Sequence, residues 1–296
     1  MTLRPESDGS FAGFSERHIG PLQERLSAAV PADESRLAAA MRGALLSPGK
    51  RIRALVAVAA GMLFRGDVDS LLDVGTAVEA VHAASLIFDD LPSMDDGTLR
   101  RGQPALHLQF GESTAILAAV ALINRAFEIL STSARLPERT RARLVAELAR
   151  ASGEPGSCRG QFADLAADPR RATLDELERI HALKTGELFV AAARGGAIAA
   201  RASDEEIAAM TRYAKNLGLA FQIVDDLLET PDAAERTGKK AHGDGHRANF
   251  AKILGRATAA AIAGELTEAA ASSVASLGPR ARPLADLAFV LRDRRA

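Results

Sequence analysis

The chain has 296 residues, with 37 Lys and Arg against 38 Asp and Glu, and the net charge of −1 leaves no global basic surface of the kind that recruits nucleic acid. Hydrophobic residues make up 47% and aromatic ones only 4%, an Ala- and Leu-rich composition that favours close-packed helices, because strands draw on aromatic and β-branched side chains. The lone cysteine, Cys158, excludes an internal disulfide and a zinc site built on several thiolates, suits a reducing compartment, and is expected to be a small buried hydrophobe.

The opening MTLRPESDGSFA has a single Arg and no apolar run, so it resembles neither a secretory signal nor a transit peptide; residues 1–13 are expected to be disordered in a cytoplasmic protein. No stretch reaches the roughly 18 apolar residues needed to cross a bilayer without a charge, so no transmembrane segment is expected. Nothing looks like a linker long enough to force two units, which makes residues 1–296 one domain.

In chain order, the pattern from Phe14 to Ala29 predicts an amphipathic helix with Ile19, Leu22 and Leu26 on one side, and Pro31 stops it. Asp33 looks like the cap of the next helix, which breaks at Ser47-Pro48-Gly49. Lys50, Arg51 and Arg53 then fall at a helix start, where the dipole already favours anions; cations placed there point to a bound anion. Apolar helices follow at 52–63 and 70–91, Pro92 ends the second, and Asp95 is placed to fold back towards Asp89. Helices are expected at 113–130 and 137–152, then one long helix over Thr173–Ala200, another over 203–229, and two or three more after a polar flap at 230–249. The class is all-α, a helical bundle with its site in the middle.

Chemistry concentrates in VHAASLIFDDLPSMDDGTLRRG, residues Val81–Gly102, where an apolar helix ends in Asp89, Asp90, Asp95 and Asp96. Carboxylates so crowded repel one another unless a divalent cation joins them. A second cluster, Asp225, Asp226 and Glu229, shares one stripe at the end of another apolar helix. Magnesium takes one or two protein carboxylates and completes its shell with water and phosphate, which suits clusters without His or Cys. Gln161 and Asp164 in an apolar stretch, and Lys184-Thr185-Gly186 inside a predicted helix, stand out as further polar positions.

Together GKRIR (49–53), HAASLIFDDLPSMDDGTLRRGQPALH (82–107), GQFAD (160–164), KTG (184–186) and FQIVDDLLE (221–229) resemble the polyprenyl synthetases, the trans-isoprenyl diphosphate synthases. The resemblance implies an isoprenoid-synthase helical bundle with a central active-site cavity, a homodimer, and condensation of an allylic diphosphate with isopentenyl diphosphate. It implies that Asp89, Asp90 and Asp95 on one side and Asp225, Asp226 and Glu229 on the other hold Mg²⁺, about three ions. Arg100, Lys184 and Lys239 would complete the grip on the allylic diphosphate. Lys50, Arg51, Arg53, His82 and Arg101 would bind isopentenyl diphosphate, with Thr185 also on the substrate and Gln222 near the reacting carbons. Phe88 stands where many bacterial members have His, Ala119-Val120 replace Gly-Asp, Ala54 replaces Pro, Glu229 replaces Asp, and Arg247 falls where Lys is usual.

A growing chain runs down the helix that carries Asp89, and five residues upstream lies about 7–8 Å deeper. Ala84 occupies that depth, with Ser85 beside it and Val81 a turn below, so geranylgeranyl diphosphate is expected over farnesyl diphosphate, with Phe127 as a floor. The competing readings are a noncatalytic regulatory subunit of a heteromeric prenyltransferase and a terpene cyclase on the same scaffold. His107 is left open between ligand and core, His18, His181, His242 and His246 are expected to be structural or solvated, and Arg292, Arg294 and Arg295 a solvated helix end, with a lid contact to isopentenyl diphosphate as the lesser alternative.

Overall fold

The computed structural model describes residues 9–168, 171–228 and 249–294. The described elements are α1 (Phe11–Ala28), α2 (Arg36–Leu45), α3 (Ile52–Leu63), α4 (Val68–Asp89), a two-strand ribbon of β1 (Leu99–Arg100) and β2 (Gln103–Pro104), α5 (Leu106–Phe110), α6 (Glu112–Thr132), α7 (Glu138–Ser152), α8 (Ser157–Ala166) and α9 (Leu174–His181). A π-helical turn over Ala182–Gly186 leads into α10 (Glu187–Ala199), then come α11 (Asp204–Leu228), α12 (Phe250–Leu254), α13 (Arg256–Ala275), a 3₁₀ turn at Pro279–Ala281 and α14 (Arg282–Arg292). The expected all-α bundle is therefore present.

Helices α3 and α4 are apolar almost all round because they form the centre of the bundle, packed on each other and on α10. Small residues make this approach possible. A Cβ on Gly61 would lie 2.0 Å from Leu71 of α4, and one on Gly196 of α10 would lie 2.0 Å from the Ala57 carbonyl of α3. One large apolar cluster runs from α1 through α4, α6, α7 and α10 to α14, and a smaller one gathers Leu177, Ile223, Val224, Phe250, Ala259 and Ala263 around the far end of α11. Tyr213 on α11 is fully buried and donates its hydroxyl to the Leu284 carbonyl at 2.7 Å, tying α14 to the bundle.

Several local expectations are corrected. Order does not wait until residue 14: α1 starts at Phe11, capped by Ser10, whose Oγ accepts the Gly13 N–H at 3.2 Å. Phe11 is buried and its N–H reaches Asp286 at 2.7 Å, so a contact 275 residues away anchors this end. The cap of α2 is Ser35, while Asp33 accepts the Ser35 N–H at 2.8 Å. The long helix expected over Thr173–Ala200 is divided by the π-helical turn. Cys158 is exposed, its thiol directed to the Ser152 carbonyl. By length and composition α4 and α6 are each apolar enough to cross a bilayer, yet 72% of the α4 window is buried inside the protein and 33% of the α6 window. Both carry charges within them, Glu79 in α4 and Arg125 and Glu128 in α6.

The close crossing predicts opposite outcomes for two glycine substitutions. Gly196→Ala should cost about 1–3 kcal/mol or more, because backbone faces the new methyl. Gly264→Ala, inside α13 with open space around it, should gain about 0.5–1 kcal/mol. Thermal and denaturant unfolding of the two variants measures both.

Candidate active site

Helix α4 ends at Asp89, and the chain doubles back so that the Asp95 N–H donates to the Asp89 carbonyl at 2.9 Å, as the position of Pro92 suggests. The ribbon that follows turns through Arg101 and Gly102, with φ of 54° and 78°, and returns Arg100 to the helix end. There the Arg100 guanidinium grips Asp90 through Nε, at 3.0 Å from Oδ2, and through a second short bond from its terminal nitrogen. Asp90 is buried, and Gly97 lies so close that a Cβ there would be 2.8 Å from its Oδ1. Asp90 thus fixes Arg100, and Asp89 and Asp95 form the half-buried outer part of the cluster. Burial first, then Asp95 and Asp90, push the Asp89 carboxyl up to about 6 against the opposing pull of Lys184 and Arg100.

The cation sensed by Asp89 comes from the π-helical turn. Helix α8 presses on that turn through Gly160, where a Cβ would lie 2.2 Å from the Lys184 nitrogen, and so brings Asp164 to Lys184 Nζ at 2.6 Å. Next to it, Thr185 donates to Gln222 Oε1 at 3.1 Å, and Gln222 Nε2 donates to Asp226 Oδ1 at 3.0 Å. Asp226 is buried and accepts the Phe250 N–H at 2.9 Å, so it joins α11 to α12. Lys184 and Thr185 therefore link the two acidic clusters at one end of the bundle. Asp164 stood out in the sequence as a polar residue in an apolar stretch and as the end of GQFAD; its partner here is Lys184.

A cavity of about 230 Å³ opens beside this ladder, with Lys50, Arg53, His82 and Arg101 among its walls. Arg53 lies over the rings of Phe189 and Phe221, at 4.5 and 5.8 Å, and burial lowers its guanidinium to about 10. Its terminal nitrogen is 3.3 Å from His82 Nε2. Burial, reinforced by Arg53, Arg101, Arg100 and Arg51, holds His82 well below its ordinary value, so the ring is neutral at pH 7 and accepts from Arg53. Arg101 donates to Ser47 Oγ at 2.8 Å, and Lys50 is exposed at the rim. Arg51 faces the same cavity but is turned into the scaffold: it is buried, left-handed at φ 51°, and bonded to Glu79 at 2.9 Å and the Ser47 carbonyl at 2.5 Å.

Arg294 departs from the leading expectation of a solvated helix end. Instead of ending in solvent, its guanidinium sits 4.0 Å over the Phe221 ring, pairs with Asp225 at 2.6 Å and donates to the Phe221 carbonyl at 2.8 Å. The apolar face of α14, Leu284, Leu287 and Leu291, was the available signal that this end docks on the bundle. Arg292 does face outward, paired with Asp293. Glu229, Lys239, Arg247, His242, His246 and Arg295 lie outside the described residues. His107 is buried on α5, and His18 and His181 pack as tilted rings against Phe14 and Phe250, at 4.5 and 5.5 Å between centroids. Val81 and Ala84 are buried in α4, and Ser85 is half-buried with its hydroxyl on the His82 carbonyl.

Among the described residues no group of three or more His, Cys, Asp or Glu side chains is gathered closely enough to hold a metal ion by itself. The donor set nevertheless fits a hard divalent cation whose remaining ligands come from phosphate. It is all oxygen, and burial, with Asp95 and Asp90 beside it, raises the Asp89 carboxyl, a shift that added positive charge would offset.

Two carboxylate clusters, the Arg100–Asp90 and Lys184–Asp164 pairs and a separate cationic cavity lie at one end of an all-α bundle. The polyprenyl synthetase family model matches residues 34–274, and the chain belongs to that family, whose members are metal-dependent prenyltransferases. It is 38% identical over 271 residues to the farnesyl diphosphate synthase of Haemophilus influenzae, covering 90% of this chain and 86% of that one. To the geranylgeranyl diphosphate synthase of Pantoea ananas it is 39% identical over 245 residues, covering 81% and 80%. An FPP/GFPP synthase structure from Zymomonas mobilis superposes with a TM-score of 0.84 at 34% identity, over 95% of this chain and 98% of that one.

The raised Asp89 gives a signed pH dependence. Its folded value, about 6, lies above the ordinary 3.8, so its ionisation disfavours the fold, and the metal-free protein should lose stability as pH rises from about 4 to 6. A divalent cation needs the ionised form, so the Mg²⁺ concentration for half-maximal activity should rise steeply as pH falls below about 6 and level off above it. Titrations of activity with Mg²⁺ between pH 5 and 8 test this, and a flat profile counts against it.

Proposed function

We propose that this prenyltransferase condenses an allylic diphosphate with isopentenyl diphosphate in the presence of about three Mg²⁺ ions and makes geranylgeranyl diphosphate, as a cytoplasmic homodimer of one-domain chains. The carrying observation is the unbroken link Lys184–Thr185–Gln222–Asp226, with Lys184 also felt at Asp89. It supports a shared location for the two acidic clusters, and the cavity around Arg53 and His82 is read as a second anion site.

In this reading Asp89, Asp90 and Asp95 on one side and Asp225, Asp226 and Glu229 on the other would hold the metal, and the bonds of Asp90 to Arg100 and of Asp226 to Gln222 and the Phe250 N–H keep the flanking groups in register. Bound Mg²⁺ supplies positive charge to the diphosphate as its bond to the allylic carbon breaks. Arg100 and Lys184 receive the same growing charge, and both are already fixed by carboxylates, so neither reorganises in the transition state. Lys50, Arg53, Arg101 and neutral His82 seat the isopentenyl diphosphate, and Arg294 lies on the same wall. The isopentenyl double bond attacks the allylic carbon, a carbon–carbon bond forms, and the proton is lost to the departed pyrophosphate. Thr185 and Gln222 line the reacting region, and the apolar face of α4 keeps water from the cation.

The relatives carry both farnesyl and geranylgeranyl names, so similarity does not choose a product. Ala84 favours the longer one, because no aromatic ring stands on α4 at that depth. Purified chain given each allylic starter, isopentenyl diphosphate and Mg²⁺ should accumulate the twenty-carbon product, and Ala84→Phe should stop it at fifteen carbons. Wild-type product ending at fifteen overturns the length assignment. No turnover by the chain alone favours the regulatory-subunit reading, and turnover without isopentenyl diphosphate favours a cyclase.

The dimer reading rests on α6, where Ile116, Leu117 and Val120 are 40%, 58% and 44% exposed along one apolar face. Leu117→Arg should convert the dimer to monomer in sedimentation velocity while circular dichroism stays helical. A wild-type monomer at micromolar concentration overturns this assignment.

A further inference from the structure

Glu79 stands within α4 among Val78, Ala80 and Val81, a carboxylate 2% exposed in the core of the bundle. Its Oε1 accepts from Arg51 at 2.9 Å, while its Oε2 is buried with no hydrogen-bond partner. It lines the same cavity as Lys50, Arg53, His82 and Arg101, one helical turn before His82. Its charge favours the ionised forms of both Arg53 and Arg101, each of which is opposed by neighbouring guanidiniums.

A buried ion pair kept for stability alone gains little over apolar residues of the same volume, and an unpartnered buried oxygen makes it worse. The placement makes sense for a different reason. Several cations crowd a cavity of about 230 Å³, and without a counter-charge their repulsion would spread them before any anion arrives. Arg51 also has to hold a left-handed backbone immediately before α3, which its bonds to Glu79 and the Ser47 carbonyl enforce.

We propose that Glu79 is a positioning residue for isopentenyl diphosphate: it acts as the resident counter-ion that keeps Arg51, Arg53 and Arg101 assembled while the cavity awaits its diphosphate. It touches no reacting atom. Its effect is confined to the second substrate, because the Arg100–Asp90 and Lys184–Asp164 grips on the allylic side have carboxylates of their own.

The inference rests on reading the cavity as the isopentenyl diphosphate site, and steady-state kinetics separates the two. Lys50→Ala serves as the reference: if it leaves the KM for isopentenyl diphosphate unchanged, the reading of the cavity fails. With that reference intact, Glu79→Gln should raise the KM for isopentenyl diphosphate roughly tenfold, while the allylic KM and kcat stay within about twofold. Glu79→Asp keeps the charge but withdraws it by one methylene, and should raise the same constant by a smaller factor, about threefold. Either variant reads the outcome if the other does not fold. An isopentenyl diphosphate KM at the wild-type value in a folded variant, or an allylic KM rising in step with it, overturns the proposal.

Discussion

Ionised side chains kept out of bulk water at one end of an apolar bundle are the constraint on which the rest of the structure depends. A carboxylate or guanidinium in that setting persists only beside opposite charge or a hydrogen-bond partner. The pairs Asp90–Arg100, Asp164–Lys184, Glu79–Arg51 and Asp225–Arg294 meet that condition. Each pair also joins two elements: the ribbon to α4, α8 to the π-helical turn, the segment before α3 to α4, and the C-terminal end to α11. Electrostatic satisfaction and site geometry are one arrangement, because a group that must be paired is thereby fixed. Asp89 departs from the pattern, its carboxyl pushed up to about 6 by burial and by like charge, and that is where added positive charge would stabilise most.

The π-helical turn shows how backbone irregularity serves this end. Adjacent side chains on a regular α-helix are separated by about 100°, and the turn at Lys184 and Thr185 departs from that spacing. Widening the helix over Ala182–Gly186 lets Lys184 meet Asp164 on α8 while Thr185 meets Gln222 on α11. Two glycines make the widened turn accessible. Gly160 admits α8 onto the Lys184 backbone, and Gly218 of α11 would, with a Cβ, stand 3.0 Å from the Gly186 Cα. π-bulges of this kind recur at functional sites because they redirect a pair of side chains without ending the helix.

Most of the helices, both acidic clusters and the cation-rich segments were legible in the sequence, because apolar periodicity and interrupted runs of charge are local signals. What was not legible depended on distant parts of the chain. Phe11 is ordered by Asp286, and Arg294 is drawn inward by Phe221 and Asp225; no window of sequence contains both members of either contact. The π-helical turn was hidden for the same reason, since its stability comes from α8 and α11, and helix propensity alone predicts continuity. Cys158 was misjudged by its residue type, whose general preference for burial says nothing of a helix as exposed as α8. Within the clusters, the sequence could not tell a carboxylate facing substrate from one facing scaffold. Asp89 and Asp90 are neighbours, yet one is held by burial and like charge and the other by Arg100.

The division of labour along α4 follows from its geometry. On the proposed reading Asp89 at its end would hold a diphosphate, and distance along the helix below it, about 5.4 Å per turn, would then bear on product length. Glu79 and His82 face the cationic cavity on one side of the helix, while Ala84 and Val81 belong to the apolar interior. A single apolar helix can serve both functions only if its packing neighbours accept small residues, and α3 and α10 do so through Ala54, Ala57 and Gly196. Enlarging a residue on the packed face would separate the helices that position Arg53 and His82. The Ala-rich composition is a requirement of packing, since it lets these helices touch, and on the proposed reading the same small residues would leave a growing chain its depth.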